Sequence, residues 1–348
     1  MVKLLFLTSG PQVPSTRFRI LQYLPRLREL GHTCVVAHSR PAKYTHWPWL
    51  GWRLSVRCRE WLRWIDLQRA RWERFDVIVL ERELFDSPDS DWEAKFRKVT
   101  GRFVLDIDDG IFLKSPEKFA RIAGLADVVI AGSELLAAEC GRTARDVVIV
   151  PTVVDLDRYP YEPARLANSP VIIGWTGTRS NLAYLEILRS PLERLAKRHD
   201  FEWHVVTNAE GFQEIPQFAG VTTRAILWSE DSEIEVLGRF DIGVMPLPDD
   251  PWARYKCGFK LIQYMARGGA AVASPVGVNP EIALQGRAAL LASTSEEWEL
   301  QLERLLVSAA ERGQLRALAR ERVDQHFSLQ AVFPDWKRAV LGESVPPE

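Results

Sequence analysis

The chain has 348 residues, 47% of them apolar and 26% charged, with 45 Lys and Arg against 46 Asp and Glu for a net charge of −1. That balance disfavours a generally basic nucleic-acid binder, so no nucleic-acid partner is expected, and the apolar content is too high for intrinsic disorder. The length allows two domains of ordinary size.

The four cysteines (Cys34, Cys58, Cys140, Cys257) lie far apart without a CxxC pair. Neither a disulfide framework nor a structural zinc site is expected, and a reducing compartment fits. The opening apolar run, residues 3–7, ends in Thr8-Ser9-Gly10 and is too short for a signal-peptide core, so it reads as a first strand. No stretch approaches the roughly 18–20 apolar residues that span a bilayer. A cytoplasmic location is expected.

Short apolar runs then alternate with helical periodicity. Candidate strands are 3–8, 33–38, 77–81, 103–107, 128–131 and 147–150, and residues 16–30 carry Phe18, Leu21, Tyr23, Leu24, Leu27 and Leu30 at helical spacing before Gly31. The rhythm pauses over 155–170, where Pro160, Pro163 and Pro170 follow Pro151, and this stretch reads as a connection. A second series follows at 171–175, 202–207, 222–226, 242–245, 270–273 and 288–291. The pattern predicts an α/β protein of two Rossmann-like parallel-sheet domains facing a cleft. The expected boundaries are 1–160, 161–327 and a final segment, 328–348, with a helix crossing back to the first domain.

Ligands of such sheets bind beyond the carboxyl ends of the strands, at turns that lead into helices. Three turns qualify: Thr8-Ser9-Gly10-Pro11, leading to Arg17 and Arg19; Gly174-Trp175-Thr176-Gly177-Thr178-Arg179; and Tyr255-Lys256-Cys257-Gly258-Phe259-Lys260. Any one alone could simply join a strand to a helix. Neither a Walker motif nor a complete GxGxxG is present, which weakens ATPase and dehydrogenase readings.

Residues 260–281, KLIQYMARGGAAVASPVGVNPE, preceded by DIGVMPL at 241–247, resemble the donor-site signature of family 4 retaining glycosyltransferases. Arg17 to His32 resembles that family's first helix and second strand, and Val148 to Asp155 its interdomain strand and loop. The resemblance implies the GT-B fold and transfer of a sugar, with retention, from a nucleotide-sugar donor to a hydroxyl of a saccharide or lipid-linked saccharide acceptor, in glycan or polysaccharide biosynthesis. The donor is a substrate; no cofactor and no metal is implied. Two glutamates usual in the family are replaced, by Tyr255 and Gln263. Gln263 can still accept a hydrogen bond from a ribose hydroxyl, whereas Tyr255 cannot replace a carboxylate.

On this resemblance Arg179, Lys256 and Lys260 assist departure of the diphosphate. Gln263 and Glu281 hold the donor, together with the turn residues Gly10, Gly177, Thr178, Gly258 and Phe259. Asp108 and Asp109, at the end of the 103–107 strand, stand where many related sequences carry a His-Asp pair facing the transferred sugar. Capping the following helix, or holding Lys114, is the alternative for these two acids. Two rivals stay open: a GT-B nucleotide-sugar epimerase, and a non-catalytic nucleotide-sugar-binding protein.

One feature is independent of the resemblance. Residues 40–75 hold six of the thirteen tryptophans and a net charge of +6, leaving −7 for the rest. Leu54, Cys58, Trp61, Leu62, Ile65 and Trp72 recur at helical spacing with arginines between them. A helix of this kind suits an anionic membrane surface, which would place the protein peripherally on the inner face. Two other readings remain: tryptophans filling a core while arginines meet water, or an acceptor pocket.

Overall fold

The computed structural model describes residues 1–161 and 170–343. It divides into two compact units, Met1–Val153 with Val332–Glu348, and Val154–Ala331. The divisions therefore fall at 153/154 and 331/332, whereas the sequence places them at 160/161 and 327/328. Pro163 and half of the Pro-rich connection, residues 162–169, lie outside the described residues.

The first unit contains β1 (Lys3–Thr8), β2 (Thr33–His38), β3 (Val77–Glu81), β4 (Arg102–Ile107), β5 (Val128–Ala131) and β6 (Val147–Ile149). They form one parallel sheet in the order β2-β1-β3-β4-β5-β6. Its central strands are largely apolar and, apart from Lys3 and Arg102 at their starts, buried, as parallel strands covered on both faces must be. The final helix, Leu329–Leu341, belongs mostly to this unit: Trp336 is fully buried and stacks on Tyr23 at 4.2 Å, and Arg102 donates to the carbonyls of Ala339 and Val340.

Residues 16–30 do not form the single helix that their spacing predicts. They make one wide π-type turn at Thr16–Ile20, a 3-10 turn at Leu21–Tyr23 and a short α-helix, Leu24–Glu29. Pro25 supplies the reason, because it has no N–H and its ring obstructs the carbonyl four residues before it.

Helix Gly51–Glu73 is inverted relative to an ordinary surface helix. Its inward face is Ser55, Arg59, Arg63, Asp66, Leu67 and Ala70, while Trp52, Trp61, Trp64 and Trp72 are exposed. Arg63 donates to the carbonyls of Ala37 (2.8 Å) and Thr8 (2.7 Å) and to Asp66 (3.2 Å). Arg59 donates to the carbonyls of Ala42 and Thr45. The guanidinium groups thus bind backbone carbonyls beneath the helix, two of which, Thr8 and Ala42, also accept from the amides of Ser39 and Thr45. The reading of core tryptophans beneath solvated arginines is overturned.

The second unit contains β7 (Val171–Thr176), β8 (Phe201–Thr207), β9 (Thr222–Leu227), β10 (Ile242–Met245), β11 (Ala270–Ala273) and β12 (Leu290–Leu291), in the parallel order β12-β11-β10-β7-β8-β9. Only two residues of the predicted 288–291 strand join the sheet. The amides of Ala288 and Ala289 turn back to the carbonyl of Ala283 instead. Strand order reverses at β1/β3 in the first unit and at β7/β10 in the second, where open α/β sheets leave room for ligands.

Candidate functional site

The reversal point of the second unit is built around paired glycines. Gly174 and Gly243 are register partners on β7 and β10. A Cβ on Gly174 would collide with the Phe240 ring, and one on Gly243 with Tyr264. Their absence lets Tyr264, from helix Phe259–Ala266, lie against the sheet and accept a hydrogen bond from the Thr176 amide (3.0 Å). The end of β7 is thereby fastened to the helix of the third turn.

The turns close in on one another here. A Cβ on Gly177 would stand 2.5 Å from the Trp175 ring and 3.0 Å from Cε of Lys260, so the second and third turns are in contact. Lys260 reaches over the Trp175 ring, its ammonium 5.9 Å from the centroid. Gly258, at φ +66°, begins helix Phe259–Ala266 in a conformation that favours glycine, and its bare Cα packs against Ile282. That contact brings the 277–281 turn alongside. Phe259 packs against the apolar core behind the helix.

Lys256 stands over two rings, 5.9 Å from Tyr184 and 6.0 Å from Trp252. Among the described residues no carboxylate pairs with it. Arg179 is placed differently. Its guanidinium is bound by Glu214 (2.8 and 2.5 Å) and its amide by Oδ1 of Asn208 (3.0 Å). Arg179 itself therefore offers neither an open amide nor an unpaired cation. The hydroxyl of Thr178 lies 3.1 Å from that of Ser180 and accepts from Asn181.

Gln263 is buried, with its amide nitrogen given to the Tyr159 hydroxyl (2.9 Å) and to Glu233 (3.4 Å). Glu233 also accepts from Trp228 (3.3 Å). A buried carboxylate thus lies beside the glutamine that replaces one. Nothing local in the sequence marks Glu233, thirty residues earlier. Glu281 is exposed, with its carboxylate 3.9 Å from Arg322.

In the first unit Glu81 closes β3 and gathers the first turn. It accepts from the Ser9 amide (3.0 Å), the Thr16 hydroxyl (2.5 Å) and the Ser15 hydroxyl. Gly10 passes so close to Ala42 that a Cβ would stand 2.7 Å from its neighbour's. Arg19 does not face a ligand: it is buried in a two-pronged bond to Asp106 (2.8 and 3.0 Å), with a third bond to the Val150 carbonyl. Burial pushes the Asp106 carboxyl up to about 6, with Arg19 working against it.

Asp108 is gripped by Arg82 through two hydrogen bonds, and Asp109 lies 3.6 Å from the same guanidinium. Burial raises the Asp108 carboxyl, but Arg82 and then Arg19 outweigh it and leave it below the usual carboxylate range. Arg82 also donates to the Tyr44 hydroxyl (3.3 Å). Sequence reading missed Glu81 and Arg82, though a charged pair ending an apolar strand is a legible signal for that place.

Residues 170–308 match the family model described as glycosyl transferases group 1. No curated protein sequence matches the chain. Among solved structures, a glycosyltransferase from Rickettsia africae is 14% identical with a TM-score of 0.70, over 99% of this chain and 100% of the other. Sucrose-phosphate synthase from Thermosynechococcus elongatus is 14% identical with a TM-score of 0.73, over 97% and 98%. The Anabaena protein HepE in complex with UDP-glucose is 14% identical with a TM-score of 0.65, over 99% and 100%. The chain has the GT-B fold, and its second unit carries the group 1 glycosyl transferase match.

Proposed function

We propose that the chain transfers a hexose-like sugar from a nucleoside-diphosphate donor to an acceptor hydroxyl, with retention of configuration at the anomeric carbon. One observation carries most of the reading. Lys256 is held over two aromatic rings, with no carboxylate partner among the described residues, within the segment that matches the family. A lysine so placed is prepared for an anion, because aromatic faces orient it without cancelling its charge. The UDP-glucose complex of HepE supports a nucleotide-sugar as that anion's source.

In this reading the glycosidic carbon–oxygen bond to the diphosphate breaks and a new bond to the acceptor oxygen forms. The acceptor's proton passes to a departing diphosphate oxygen. Lys256 and Lys260 stabilise the charge that develops there. Arg179 joins them only by exchanging Glu214 for the diphosphate. Gly177, Thr178, Gly258 and Phe259 shape the donor turns, Glu281 borders them, and Gln263 acts from beneath by positioning Tyr159 and Glu233. Gly10 belongs to the first unit's turn, and Asp108 or Asp109 orients the sugar or a saccharide or lipid-linked acceptor. No metal or organic cofactor takes part, and turnover is expected to withstand a strong chelator.

A panel of nucleotide sugars with simple saccharide acceptors tests the reading. Diphosphate release that depends on acceptor supports it. Sugar isomerisation without transfer would make the chain an epimerase. Thermal stabilisation by a donor without turnover, under every acceptor tried, would make it a binding protein.

A further inference from the structure

We infer that the outward face of helix Gly51–Glu73 seats the first unit on an anionic phospholipid surface. This goes beyond the transfer reaction and does not depend on it. The face is a single stripe at helical spacing, Leu54, Arg57, Trp61, Trp64 and Trp72, directly opposite the inward Arg59 and Arg63. Trp72 is 89% exposed and Trp61 60% exposed. Just ahead of the helix, Trp49 is 79% exposed and stacks on Trp47 at 5.8 Å. Large aromatic rings left in water across one helix face signal a surface waiting for a partner.

The helix cannot turn these rings inward. Its opposite side is committed through Arg59 and Arg63 to the carbonyls of Thr8, Ala37, Ala42 and Thr45. Two of those carbonyls belong to β1 and β2, and the end of β1 leads to Ser9 and Gly10. The exposed face is thus joined to the end of β1, whose following residue, Ser9, is bound by Glu81 at the end of the neighbouring β3.

Charge decides the occupant. Arg53, Arg57, Arg71 and Arg74 are exposed, and none has a carboxylate partner among the described residues; Glu60 is the exposed acid among them. An anionic headgroup layer meets both features, since tryptophan prefers the interface and arginine the phosphate. A second copy of the chain fits poorly, because a two-fold contact would bring like arginines together. The 23-residue helix forms a ridge roughly 34 Å long that a membrane surface can meet along its length. No helix among the described residues is long and apolar enough to cross a membrane.

Flotation of the whole chain with vesicles decides the matter. Recovery is expected with equimolar phosphatidylcholine and phosphatidylglycerol at low salt, falling at high salt as the charges are screened, with little on phosphatidylcholine alone. The triple variant Trp61→Ala, Trp64→Ala, Trp72→Ala and the triple variant Arg53→Gln, Arg57→Gln, Arg71→Gln should each lower partitioning by about tenfold or more. Neither should change the melting temperature, because all six side chains are exposed. Absence of flotation on anionic vesicles, equal recovery on neutral ones, or unaltered recovery of both variants would overturn the inference. So would a concentration-dependent dimer that the tryptophan variant abolishes, which would assign the face to a second copy.

Discussion

Arg82 and Asp108 meet through two parallel hydrogen bonds of 2.6 and 3.0 Å, although Arg82 itself holds a left-handed φ of 58°. A non-glycine residue in that conformation stores strain, and such strain persists only where the surroundings over-determine it. Here the Asp108 pair and the backbone bond from Arg82 to the Asp106 carbonyl do so.

Arg82→Met should therefore show a specific pH signature. In the native chain folding lowers the Asp108 carboxyl, so its contribution is present above about pH 4 and lost as pH falls. Without Arg82 burial dominates and raises the carboxyl. Its contribution is then favourable in acid and lost as pH rises. The melting deficit of the variant should be largest near neutrality and shrink toward pH 4. A deficit independent of pH would show that the pair does not set this carboxyl.

Lys256→Ala is expected to weaken free nucleoside diphosphate by about tenfold or more, as loss of a charged hydrogen bond of roughly 1.5–3 kcal/mol implies. Arg179→Ala should cost less, because a ligand must first displace Glu214. Calorimetry on the two variants ranks them, and the reverse order would return the leading role to Arg179.

Gly177→Ala should impair donor binding more than folding. The added methyl would press on the Trp175 ring and on Cε of Lys260, the flexible far part of a side chain, which must then leave its position. Unchanged diphosphate affinity alongside a large fall in melting temperature would make this glycine purely a packing residue.

Arg63→Met tests the inverted helix. It leaves Asp66 with a weakened pair and removes a donor from the carbonyls of Ala37 and Thr8, of which Thr8 keeps the Ser39 amide. Breaking a buried ion pair typically costs about 3–5 kcal/mol, whereas Trp72→Ala, at an exposed site, should stay within about 0.5 kcal/mol. Urea denaturation compares the two directly. A more harmful Trp72→Ala would mean that the tryptophan face supports the fold.

Asp108→Asn should lower turnover while leaving donor affinity near the native value, if that carboxylate orients sugar or acceptor. Equal loss of melting temperature and turnover would make the Arg82 pair its whole purpose.

The strand succession was legible in the chain itself, because fully buried parallel strands must be short apolar runs, and runs such as 77–81 and 242–245 admit little else. The close-packed turns of the second unit were legible for a local reason as well, since glycines bunch where backbone must come close. Local periodicity misjudged 16–30, where Pro25 breaks a pattern that otherwise reads as one helix. Other features depended on residues far apart in sequence. Glu214 silences Arg179 from 35 positions away, Glu233 comes beside Gln263 from 30, and Arg82 reaches Asp108 from 26. The sense of helix Gly51–Glu73 was likewise decided by tertiary structure. Its sequence has a helical period, but which stripe faces inward depends on carbonyls of β1 and β2, distant in sequence, that the planar Arg63 guanidinium reaches while it also holds Asp66.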